Sequence, residues 1–112
     1  MNYDFSFSNP QIKDWFDGKT DTVPVRQFVY VHEHPLIKPN FVAQMDGLIY
    51  EAGRSLVAKN IKGAPANKLV DKSKIFVKAL EVFLLDKNEV NAENVLKALR
   101  DIYVLCLKIK SL

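Results

Sequence analysis

The chain has 112 residues, 48% of them apolar and 26% charged, with a formal charge of +3. That length suits one domain with no second core, the apolar fraction excludes a disordered chain, and a single cysteine, Cys106, excludes an internal disulfide and fits a reducing compartment. The longest unbroken apolar run, Ile102 to Leu107, is far short of the ~20 residues of a membrane span, and Met1 to Phe5 has neither the basic nor the apolar region of a signal peptide, so a soluble, cytoplasmic protein with no membrane partner is expected.

Residues 1–39 read as an aromatic segment, since nine of the twelve aromatic residues lie in the first fifty positions. Tyr3, Phe5 and Phe7 alternate with polar residues and predict a short half-buried strand. Asn9 and Pro10 predict a helix start, because Asn caps free amides and proline has its φ set for the first helical position. The short helix carries Ile12, Trp15 and Phe16 and stops at Gly18. Within 23–32, the β-rich run Phe28-Val29-Tyr30-Val31 predicts a second strand, with Pro24 confined to its edge and Pro35 closing it. Two strands alone are marginal in water, so they must pack on helices or pair with another chain.

Residues 40–112 predict a three-helix bundle, and the fold class is mainly α, with α+β as the alternative, in a single domain over 1–112. The first helix spans 40–60, with Phe41, Met45, Leu48, Ile49, Ala52 and Leu56 on one stripe. Gly47 and Gly53 inside it predict close approach of another element, because glycine there costs up to ~1 kcal/mol relative to alanine. A turn over 62–66 leads to a helix over 67–86, whose polar strip is narrow: Asp71, Lys74, Lys78 and Glu81. The last helix runs over 91–111, with Asn91 as N-cap and Val90 and Val95 as a hydrophobic staple. Its apolar arc includes Leu96, Leu99, Ile102, Cys106 and Ile109, opposite Lys97, Arg100, Asp101 and Lys108. The last two helices are apolar around most of their circumference, more than a three-helix bundle covers. The aromatic segment and a second subunit are the two sources of cover. The repeated Lys-Ala-Leu at 78–80 and 97–99 lacks matching flanks and reads as coincidence.

Chemistry is thin. His32 and His34 would share one face of a strand and are the weak metal candidates, but no third ligand is near in sequence, so a polar strand end is the simpler reading and no metal or cofactor is expected. The four glycines form no phosphate-binding loop, Cys106 sits mid-arc as a small hydrophobe, and Asp14 and Asp17 suit an exposed acidic face. No catalytic residue is assigned, and the chain is not expected to be an enzyme.

The charge excess lies entirely beyond residue 66, where nine basic side chains meet six acidic ones. The expected function is a non-catalytic protein–protein interaction module working through helices 67–86 and 91–111, either as a homodimer or as a small subunit or adaptor bound to another protein. Val82, Leu85, Val104 and Leu107 are the candidate contact residues. The alternative is a nucleic-acid-binding accessory protein using Lys68, Lys72, Lys74, Lys78, Lys108 and Lys110, less favoured because acidic residues interrupt those patches and Trp15, Phe16 and Tyr30, the stacking candidates, lie in the charge-neutral half.

Overall fold

A computed structural model describes residues 9–33 and 41–112, leaving aside the side chains of Phe41 and Val42. Those residues form five helices: α1 (Pro10–Phe16), α2 (Val25–Glu33), α3 (Phe41–Ala58), α4 (Ala64–Leu85) and α5 (Glu89–Lys110). The fold is mainly α, and no strand occurs among the described residues. The strand expected at Tyr3, Phe5 and Phe7 lies outside them.

α1 forms as its sequence dictates. The Asn9 side-chain oxygen accepts from the amides of Gln11 (3.0 Å) and Ile12 (3.1 Å), Pro10 follows at the first helical position, and Gly18 has a φ of +78° just past the end. Buried Ile12 and Trp15 face inward.

The strand expected within 23–32 is instead α2. Phe28 and Val31 are buried while Val25, Val29 and His32 are half-buried, a spacing of three and four residues that only a helix brings to one face. Pro24 lends its carbonyl to the Phe28 amide (3.0 Å), starting the helix at a residue that needs no donor of its own. Packing has overridden the β propensity of Val29, Tyr30 and Val31.

The stripe predicted for α3 is in place, with Met45, Leu48, Ala52 and Leu56 all buried. Its end is a Schellman turn. Asn60 takes a φ of +54°, its amide donates to Val57 (3.1 Å), and the Ile61 amide reaches back to Leu56 (2.9 Å). α4 begins at Ala64, three residues earlier than expected, because Pro65 fits within the first turn, where an amide would lack a partner anyway. α5 also begins early. Asn88, not Asn91, is the N-cap: its side chain accepts from the Asn91 amide (2.8 Å), while the Asn91 side chain donates to the Asp86 carbonyl (2.8 Å). Val90 therefore falls inside the helix and is 68% exposed, so the expected staple with Val95 does not form.

The helices assemble around α5, which packs most extensively on α4, then on α3 and α2. Ala92, Val95, Leu96, Ala98, Leu99, Ile102, Cys106 and Ile109 are all buried, so the wide apolar arc of this helix is covered within the chain. α4 differs. It buries Leu69, Phe76 and Phe83, seven residues apart, and leaves Val70, Ile75, Val77, Val82, Leu84 and Leu85 exposed.

Gly53 corrects the close-approach reading: a methyl group there would meet nothing within 4 Å. Gly53→Ala is therefore expected to raise stability by about 0.5–1 kcal/mol through a lower backbone entropy cost. Chemical denaturation at equal protein concentration measures this, and a loss of stability would mean that the position is enclosed.

Candidate interaction site

Among the described residues no three His, Cys, Asp or Glu side chains come together as a metal site. The same-face argument for His32 and His34 lapses with the strand, since residues two apart on a helix point about 200° apart, and His34 lies outside the described residues. The His32 ring is held against Phe28 (centroids 4.3 Å) and edge-on to Phe83 of α4 (5.0 Å). Its Nδ1–H donates to the Phe28 carbonyl at 2.8 Å. The residue is a packing element between α2 and α4.

Cys106 is fully buried, and burial pushes its thiol up to about 11, partly offset by Lys110. A thiol at that pKa carries almost no thiolate near neutral pH, which removes it from nucleophilic chemistry.

What distinguishes the surface is α4. Its exposed apolar residues fall on two flanks. Val70, Val77 and Leu84 recur every seven residues and form one ridge, with Ser73 and Leu80 half-buried between them. Ile75 and Val82, also seven apart, stand about 140° around the helix from that ridge. On their side α4 and α5 enclose two adjoining grooves.

The first groove, of about 670 Å³, is walled by Lys68 and Lys72 of α4, by Lys97, Arg100 and Lys108 of α5, and at its end by Asp21 and Val23. Val104 and Leu105 form its floor beside Trp15. Trp15 is only 3% exposed, and the Arg100 guanidinium lies 4.8 Å from its ring centre. The second groove, of about 600 Å³, has Lys74 and Lys78 on its rim and Ile75, Ala79, Val82 and Ala98 along its wall. The two share Lys97 and Asp101.

Five of the six lysines singled out in the sequence thus line one continuous trough. The sixth, Lys110, is on another face of α5 and pairs with Glu51 of α3 at 2.7 Å. Lys97 and Arg100, read in sequence only as a polar face, complete the trough. No sequence signal ties them to Lys68 and Lys72, because the register of α4 against α5 decides their proximity. Of the four candidate contact residues, Val82 and Val104 lie in the trough, Leu85 projects at the end of α4 (89% exposed), and Leu107 (44% exposed) lines neither groove. Trp15 is covered by Arg100 and offers no open face for stacking.

No described helix is long and apolar enough to cross a membrane. No protein-family model, curated protein sequence or solved structure matches the chain.

Two titrating groups give direct checks on this geometry. Burial lowers the His32 pKa from 6.5, the hydrogen bond to Phe28 partly offsets that, and the Lys87 charge lowers it further. The unfolded chain therefore takes up the proton first, and stability is lost as pH falls through about 6.5. The melting temperature should drop between about pH 7.5 and about pH 5.5 in the native protein and less so in His32→Phe. An equal drop in both would place the histidine in solvent. Cys106 should react with a thiol reagent orders of magnitude faster in denaturant than in the folded state. Equal rates would show that α5 does not bury it.

Proposed function

We propose that the chain is a non-catalytic protein–protein interaction module that pairs with a second copy of itself through α4. The observation that carries this reading is the apolar load of that one helix. Six of the thirteen large apolar side chains exposed among the described residues belong to it. Three of them, Val70, Val77 and Leu84, line up on one flank, and exposed apolar patches of this kind commonly mark protein–protein contacts.

The Val70–Val77–Leu84 ridge suits an antiparallel pairing of two α4 helices about a twofold axis near Val77. Such a pairing sets Val70 of one copy against Leu84 of the other. Lys74 and Glu81 flank the ridge at equivalent positions on either side of Val77, so the same axis brings Lys74 toward the partner's Glu81 twice. Two copies thus match in charge as well as in apolar register. The ridge residues are half covered already, so each contributes on the order of 1 kcal/mol, less than the ~1.5–3 kcal/mol of full burial. The pairing is accordingly expected to be reversible at micromolar concentration.

Analytical ultracentrifugation should give a dimer mass for the native chain and a monomer mass for Val77→Glu, which sets two carboxylates together near the axis. Helical circular dichroism should be unchanged, since Val77 is half-exposed and makes no contribution to the buried core. Val104→Glu, off the ridge, should leave the dimer intact. A native monomer across the micromolar range would sink the self-association reading.

A further inference from the structure

We infer that the trough between α4 and α5 is a docking site for an acidic amphipathic helix of a partner protein. This rests on the reading of the chain as a protein-interaction module, and it is separable from self-association because it uses the other flank of α4 and shares with the ridge only Lys74. The two grooves join through Lys97 and Asp101 and follow α5 from Lys108 back to Asn91. That is 18 residues, about 26 Å, the length of a helix of nearly five turns.

Charge is segregated into this trough. Its lining carries seven cations and two carboxylates, whereas the chain as a whole is +3, so everything outside it is net negative. Lys72 is tied to Asp101 (3.5 Å) and Lys97 to Glu93 (3.2 Å). Lys68, Lys74, Lys78 and Lys108 form no salt bridge with any described residue. Between these cations lie exposed Ile75, Val82 and Val104, with half-buried Ala79 and Leu105 beneath.

Cationic rims over an aliphatic floor select the occupant. An amphipathic helix lays an apolar stripe on such a floor and presents flanking carboxylates to both rims. A single nucleic-acid strand gains its sequence-independent affinity from phosphate contacts plus bases stacked on rings. Among the described residues the trough has no open ring. Trp15 is buried under Arg100, and the exposed Tyr30 and Tyr50 stand on α2 and α3. A phosphate backbone would meet the lysines but leave Ile75, Val82 and Val104 without apolar cover.

The test is fluorescence anisotropy with a labelled peptide of about 18 residues, leucine at helical spacing and glutamate on both flanks. It is run on the native chain and on Val77→Glu, which keeps every trough residue. The comparison ligands are the same composition scrambled, the same stripe with lysine flanks, and an oligothymidylate of about 20 nucleotides. The leucine–glutamate helix should bind both proteins at least about tenfold more tightly than any comparison ligand, and less tightly as salt rises. Lys68→Glu with Lys108→Glu, and separately Ile75→Asn with Val82→Asn, should each weaken it at least about tenfold at unchanged circular dichroism. Absence of saturable binding overturns the inference, as does equal binding of the scrambled peptide. Tighter binding of the oligothymidylate overturns it in favour of a nucleic-acid trough. A dimeric chain that ignores the peptide rejects the docking site alone, and a monomeric chain that binds it rejects self-association alone.

Discussion

The fold depends on burying the apolar arc of α5. Eight of its side chains, from Ala92 to Ile109, are out of solvent, and the other core residues gather around them. Phe83 and Phe76 approach from α4, Met45, Leu48 and Ala52 from α3, Phe28 from α2 and Trp15 from α1. Shortening a leucine in such a setting to alanine costs about 2–5 kcal/mol, a large part of the stability of a domain this size. The peripheral ties are modest by comparison. Arg26 to Glu89 (3.1 Å) and Lys110 to Glu51 (2.7 Å) join α2 and α3 to α5, but both are surface pairs, each worth no more than about 1 kcal/mol.

α5 was also the most legible element. Its arc could be read directly from Val95, Leu96, Leu99, Ile102, Cys106 and Ile109, all of which are buried. Only its start was misplaced, because Asn88 and Asn91 are both good caps and the choice turns on the Asn91 side chain reaching the Asp86 carbonyl. α2 failed for a different reason. Phe28 to Val31 is continuous rather than alternating, and its propensity favours strand. The deciding partner, Phe83, whose ring lies 5.3 Å from Phe28, is 55 residues away in sequence. The cationic trough was half legible. Lys68, Lys72 and Lys108 stand out in the sequence as basic positions, but their union with Lys97 and Arg100 is a matter of helix register, which periodicity does not report. Trp15 lies 85 residues from the Arg100 that covers it, so its burial was equally hidden.

α4 is the helix that divides structural from surface duty. One line of its circumference, Leu69–Phe76–Phe83, is committed to the core. On either side of that line stands a different kind of surface: an aliphatic ridge of Val70, Val77 and Leu84, and an aliphatic strip of Ile75 and Val82 among lysines. The surplus apolar character read from the sequence of the last two helices thus belongs mainly to α4, since α5 is covered by α4 itself together with α3 and α2.

The position of α5 in the chain carries a consequence for synthesis. The four helices that pack around it all precede it, so they are synthesised before the surface that completes their core exists. At about 5–20 residues per second, the 22 residues of α5 take roughly one to four seconds to make. Through that interval Phe28, Phe76, Phe83 and Trp15 have no finished core to enter, and α4 offers apolar residues around nearly its whole girth. The incomplete chain then exposes more apolar side chains than the closed domain does, and aggregation competes with folding until α5 is in place.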